Sequence, residues 1–171
     1  FSVVFQDFQL FAMPLGENVA TKANYDRELA ARCLTQAGFG DRMKTMTLDT
    51  HLYKELDKQG VEVSGGEAQK IAIARALYKD APFIVLDEPT AALDPVAEAE
   101  IYEKFDQIAG DKTAIYISHR LSSCKFCDEI AVFDHGEVIQ QGTHQQLLED
   151  KTGKYCALWN AQAQYYTKKE A

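Results

Sequence analysis

The chain has 171 residues, a formal charge of −8, 46% apolar residues and 26% charged ones. Those values suit an ordinary globular chain of one domain, two at most, and exclude intrinsic disorder, since Ile, Leu, Val, Phe and Tyr are ample. No apolar run approaches the ~18 residues needed to span a bilayer, no secretory signal opens the chain, and the acidic balance, with a pI near 5.0, disfavours wide contact with nucleic acid or anionic lipid.

The chain begins at Phe1 like the middle of a strand, and Val3-Val4-Phe5 is a short apolar strand end. A loop follows from Gln6 to Pro14. Tyr25 to Ala37 predicts a helix, because Leu29, Cys33, Leu34 and Ala37 share a face and Gly38 stops it. Residues 40–63 are polar and irregular, with a short helical stretch expected near Leu52 to Leu56. Glu67 to Lys79 predicts a strong helix, for which Ser64-x-x-Glu67 has the capping-box spacing.

Phe83-Ile84-Val85-Leu86 is an unbroken apolar run, the pattern of a strand covered on both faces. Asp94-Pro95 is expected to open the next helix, with Ile101, Phe105 and Ile108 as its buried stripe. Thr113 to Ile117 predicts another buried strand, and a helix follows around Leu121 to Cys127. Ile130 to Phe133 and Glu137 to Gln140 flank Asp134-His135-Gly136, a hairpin signal. Helices near His144–Glu149 and Tyr155–Tyr166 complete the chain. Strands alternating with helices imply a mainly parallel α/β sheet.

Four cysteines are present, at 33, 124, 127 and 156. Cys124-x-x-Cys127 lacks a second ligand pair, so zinc is disfavoured. A redox pair is the alternative to small, half-buried structural residues, and the structural reading is preferred.

Five short stretches can carry chemistry. Asp87-Glu88 ends an apolar strand, the edge where ligands bind in open α/β sheets. One acid there can hold Mg²⁺ through water, and the other can deprotonate an attacking water; two solvated acids at a turn are the plainer alternative. Ser64-Gly65-Gly66-Glu67 places two glycines at a helix start, whose free N–H groups and positive dipole end suit phosphate, although a capped helix alone would explain it. His119 ends a second apolar strand and can reach a terminal phosphate or pair with a backbone carbonyl. Gln6 can coordinate Mg²⁺ or hold water, or be an ordinary loop residue. Asp94 is a further acid that can equally be an N-cap.

The order of these elements resembles the ATP-binding cassette (ABC) ATPases. Gln6 looks like their Q-loop, Val63 to Glu67 their signature, Phe83 to Glu88 their Walker B strand, Ala91 to Asp94 their D-loop, and His119 their switch histidine. Ser118-His119-Arg120-Leu121-Ser122, Gly142 to Leu148, Gly60, and Leu10-Phe11 with Gly16-Glu17-Asn18-Val19 resemble the exporter branch. The resemblance implies a P-loop NTPase-like α/β fold: a mainly parallel sheet flanked by helices, with a helical signature subdomain. Its parts would be a helical subdomain over about 12–80, a catalytic sheet from 1–11 and 81–150, and a C-terminal helix over 151–171.

The resemblance further implies ATP and Mg²⁺ as cofactors, a head-to-tail dimer with a second ABC ATPase domain, and coupling to the transmembrane domain of a transporter through residues 6–18. The location would be the cytoplasmic face of the cell membrane. Glu88 would be the general base and His119 a contact to the γ-phosphate. Gln6 and Asp87 would hold the metal, Ser64, Gly65, Gly66 and Glu67 would contact nucleotide, and Asp94 would couple the two sites. Val63 and Glu67 depart from the usual Leu and Gln, and Lys58 stands where an acid is common. Glu67 adds negative charge near the phosphate site, which a cation or Arg would have to offset.

No G-x-x-x-x-G-K-[ST] loop occurs in these residues. The expectation is that it precedes Phe1, making this the C-terminal part of a nucleotide-binding domain, inactive alone and with unmatched edges on the two parallel strands Thr113–Ile117 and Ile130–Phe133, between which the family's phosphate-loop strand runs. Two other classes of protein compete with this reading. A soluble ABC ATPase working on nucleic acid would carry a long coiled coil between Q-loop and signature, but only 58 residues lead from position 6 to position 64, and the acidic charge disfavours that partner. A non-catalytic dimerisation partner would lack the base and the switch histidine, and both are present.

Overall fold

The computed structural model describes residues 1–90 and 109–167. They form two compact units, one of residues 1–90 and 109–117 and one of residues 118–167. The helix expected to open at Asp94-Pro95, with its stripe Ile101, Phe105 and Ile108, lies outside the described residues.

The first unit is built on a parallel sheet of β1 (Ser2–Val4), β2 (Phe83–Asp87) and β3 (Thr113–Ile117), in the order β1-β2-β3. Val4 pairs with Leu86, and Asp87 with Ile117. The sheet is sealed on one face only. Ile84 and Leu86 are buried, whereas Phe83, Ile115 and Ile117 are more than 40% exposed. The expected burial of β2 and β3 on both faces therefore does not hold among the described residues. No described strand lies beyond β3.

The covering helix is α3 (Gly65–Lys79), begun two residues earlier than expected. A capping box explains the early start: Ser64 Oγ accepts from the Glu67 N–H at 3.2 Å, and Ser64 N–H donates to Glu67 Oε2 at 2.8 Å. Ile71, Ile73 and Ala74 enter the core with Val4, Ile84 and Leu86. Ser2, itself buried, donates from Oγ to the Ala76 carbonyl at 2.5 Å and ties β1 to the helix. Two further helices complete the layer. α1 (Leu15–Ala20) contributes Leu15 and Val19, and α2 (Arg27–Gln36) contributes Ala30, Cys33 and Leu34. Asp26 caps α2 by accepting from the Leu29 N–H, and Gly38 at φ +80° follows its end. α1 falls between the expected loop, which ends at Pro14, and the expected helix from Tyr25, in a stretch for which no element was expected.

Residues 52–56 are not helical. His51 and Leu52 make isolated bridges to Pro14 and Val61, and the chain then turns back. Leu52 is buried but Leu56 is 82% exposed, so the two do not share one buried helical stripe, and short helices depend on such burial. Gly60 closes the turn against the Tyr53 carbonyl, where a Cβ would collide.

In the second unit, α4 (Leu121–Cys124) leads to an antiparallel hairpin of β4 (Ile130–Asp134) and β5 (Glu137–Gly142). Its turn residues His135 and Gly136 both have positive φ, +49° and +83°, the type I′ geometry that matches strand twist. α5 (His144–Glu149) is capped by Thr143 and Gln146, and α6 (Lys154–Thr167) follows. Leu121, Ile130, Leu147 and Tyr155 form this unit's core. No helix among the described residues is long and apolar enough to cross a membrane.

Candidate functional site

Parallel pairing of β1 and β2 carries their C-terminal ends to one edge. Gln6 lies two residues past Val4, and Glu88 two past Leu86, so the register sets them side by side. Gln6 Nε2 donates to Glu88 Oε2 at 3.0 Å. Asp87, half-buried, is the last residue of β2. Thus three of the expected site residues converge on one sheet edge.

Glu88 is fixed through its backbone as well. Its N–H donates to the Ile117 carbonyl at 2.9 Å, and its carbonyl accepts from Gln69 Nε2 at 3.1 Å. Its φ is +46°, a left-handed conformation that non-glycine residues adopt at a cost of about 1–3 kcal/mol and that clusters at functional sites. Gln69 belongs to α3 and is 1% exposed. The helix that begins at Ser64 therefore also holds the backbone of Glu88.

At the start of α3, Ser64 and Gly65 are exposed, while Gly66 and Glu67 are half-buried. Ala68 N–H makes the first bond of the helix, to the Ser64 carbonyl at 2.8 Å. Helix geometry leaves Gly65 and Gly66 N–H without intrahelical acceptors. Glycine at both positions keeps side chains away from an approaching anion. Val63 packs at the margin of the core, so the change from Leu retains its apolar role. Glu67 fills the capping role expected of it, and Arg42 Nε lies 2.9 Å from its Oε1.

The segment after Gln6 is organised by fully buried Asn18. Its Nδ2 donates to the carbonyls of Phe11 and Met13 at 2.9 and 3.1 Å, and its Oδ1 accepts from the Phe11 N–H at 2.9 Å. Arg75 of α3 braces the same segment. Nε donates to the Asn18 carbonyl at 2.8 Å, and another guanidinium nitrogen donates to the Gln9 carbonyl at 3.1 Å. Beside it, Val4, Phe5, Phe8, Phe11, Ala72 and Arg75 line an open cavity of about 320 Å³.

In the second unit, His119 is exposed just beyond β3, and its carbonyl accepts from Gln162 Nε2 of α6 at 2.6 Å. Gln162 Oε1 in turn accepts from the Leu121 N–H at 3.0 Å. This clasp fixes the backbone around His119. Asp94 lies outside the described residues. Cys124 and Cys127 are free thiols. Burial, then the nearby Cys124 and Asp128, push the Cys127 thiol up to about 11.

Gln69, Arg75 and Arg42 were not singled out from the sequence. A glutamine on the core face of α3 and an arginine inside Ile71-Ala72-Ile73-Ala74-Arg75-Ala76-Leu77 were available signals, since a buried polar group needs partners. Arg42 carried none, because its value lies in a contact 25 residues away in sequence.

A sheet edge with two adjacent carboxylates is thus joined, through Gln69 of one helix, to a glycine-rich helix start. The chain belongs to the ABC transporter family, whose model matches residues 1–91. It is 43% identical over 166 residues to an "ATP-dependent lipid A-core flippase" from Idiomarina loihiensis, covering 95% of this chain and 28% of that protein. It is 39% identical over 155 residues to "Subtilin transport ATP-binding protein SpaT" from Bacillus subtilis, covering 86% of this chain and 25% of the relative. Among solved structures, a bacterial Atm1-family ABC exporter with ATP bound superposes with a TM-score of 0.84 and 34% identity, over 95% of this chain and 28% of that one. The fold is thus that of an ABC exporter's nucleotide-binding domain, and the chain spans about a quarter of the length of these relatives.

Proposed function

We propose that this chain forms part of the ATP-binding and ATP-hydrolysing domain of an ABC exporter. The Gln6–Glu88 contact, with Asp87 beside it and Gln69 behind it, carries the reading. Residues 12–80 form its helical subdomain, 1–11 and 81–150 the catalytic sheet, and 151–171 the C-terminal helix. In the intact protein it works at the cytoplasmic face of the membrane.

The donor set fits Mg²⁺. Asp87 and Gln6 offer hard oxygen ligands, and no cluster of three or more His, Cys, Asp or Glu side chains competes as a metal cage among the described residues. Mg²⁺ keeps several waters and is held by one or two protein oxygens together with phosphates. When bound with ATP, it supplies charge neutralisation on the phosphate oxygens.

Glu88 accepts a proton from the attacking water at its carboxylate, while Gln6 holds that carboxylate in place. His119 contacts the γ-phosphate. Ser64, Gly65 and Gly66 present a hydroxyl and backbone N–H groups to the nucleotide held by a second ABC ATPase domain, with Glu67 capping their helix, and Asp94 couples the paired sites. Residues 6–18 receive the transmembrane domain, and the apolar cavity beside Arg75 supports that role. A phosphate loop comes from outside these 171 residues.

Glu88→Gln tests the assignment. It keeps the shape and the Gln6 contact but removes the base, and should lower the steady-state ATPase rate of the intact protein by ~10²–10⁴-fold. A rate within twofold of the unaltered protein would refute the role of Glu88.

A further inference from the structure

Resting on this signature reading, we propose that Arg42 is a positioning residue for the nucleotide contact: it cancels the charge of Glu67 and holds that carboxylate in its capping geometry, so that the start of α3 stays receptive to phosphate.

Glu67 sets two demands against each other. A carboxylate three residues into a helix is favourable to the helix. The same charge beside N–H groups that receive phosphate oxygens repels the ligand. The structure divides the two oxygens of the carboxylate between these demands. Oε2 accepts from the Ser64 N–H, as a neutral glutamine oxygen would. Oε1 faces Arg42 Nε at 2.9 Å.

The pairing is partly withdrawn from water, the side chains of Arg42 and Glu67 being 36% and 28% exposed. Nε itself is fully buried and has no aligned hydrogen-bond acceptor, so its contact with Oε1 acts through charge rather than a directed hydrogen bond. Less screening makes such a contact count for more than an open surface pair.

Arg42 is also held by its own surroundings. It begins a 3₁₀ turn over Arg42–Lys44, between Phe39 and Met46, both at most 2% exposed. Its N–H donates to the Phe39 carbonyl and its carbonyl accepts from the Met46 N–H. A second guanidinium nitrogen donates to Thr45 Oγ1 at 3.0 Å. The cation is therefore delivered by anchored backbone, and Glu67 makes no other ion pair among the described residues.

The test uses the intact ATPase. Arg42→Ala should raise KM for MgATP ~tenfold through the uncovered charge, with a smaller change in kcat. Glu67→Gln placed in the Arg42→Ala background should bring KM back to within about twofold of the unaltered protein, because no charge is left to cancel. Should Arg42→Ala fold poorly, Arg42→Met measured at 0.5 M salt serves instead: a Debye length of ~4 Å should shrink its KM defect, which lost packing alone would not show. An unchanged KM in Arg42→Ala, or a double variant as impaired as the single, overturns the proposal. Ser64→Arg in the same protein separates the two levels. If Ser64→Arg abolishes turnover while Arg42→Ala is silent, only the role of Arg42 falls; if Ser64→Arg leaves turnover unchanged, the signature reading falls with it.

Discussion

Glu88 combines an ionisable side chain with a left-handed backbone, φ +46°. Two hydrogen bonds, to Ile117 and from Gln69, hold it there. Glycine adopts that conformation without steric cost. Glu88→Gly should therefore unfold at higher denaturant than Glu88→Ala, by about 1 kcal/mol, although both lose the carboxylate. Equal midpoints would show that the surroundings impose no strain. Cys127 gives a second residue-level expectation. Its thiol is raised by burial to about 11 from 9.0, so the folded chain keeps its proton between those values while the unfolded chain loses it. The fold consequently loses stability as pH rises from 9 towards 11. Alkylation at pH 8 should be much slower for Cys127 in the folded chain than in urea; equal rates would revive the redox reading of the Cys124-x-x-Cys127 pair.

At the level of elements, α3 was legible because its information is local: Ser64 and Glu67 stand at capping-box spacing. The hairpin of β4 and β5 was legible for the same reason, through His135-Gly136. What the sequence did not disclose depends on distant partners. The exposed face of β2 follows from what covers it, not from Phe83 to Leu86 themselves. The missed turn at 52–60 exists because Gly60 can approach the Tyr53 carbonyl. Gly60→Ala would force those backbones apart and should destabilise the first unit by about 1–3 kcal/mol in urea unfolding. No loss would mean the turn relaxes freely.

Across the whole molecule, the candidate site was readable as a list of residues before it was readable as geometry. Gln6 and Glu88 are 82 positions apart, and only the parallel register brings them together. Gln69, which links them to the signature helix, had no motif to announce it. The second unit has its own core, and at its surface Gln162 holds the backbone carbonyl of His119. The 171 residues contain no lysine-bearing phosphate loop, so the isolated chain should show no MgATP binding by titration calorimetry. Micromolar affinity would mean that the sheet edge and helix start suffice without it.

The brace made by Arg75 has a mechanical corollary. One guanidinium grips the chain at Gln9 and again at Asn18, and its planar fork of donors spans acceptors that a single ammonium could not. Were a partner to press on that segment, the load would reach the helix whose N-cap is Ser64. Burial lowers the Arg75 pKa, but a guanidinium starts so high that arginine keeps its proton in proteins, so the brace should hold across the neutral range with no pH throttle at this joint.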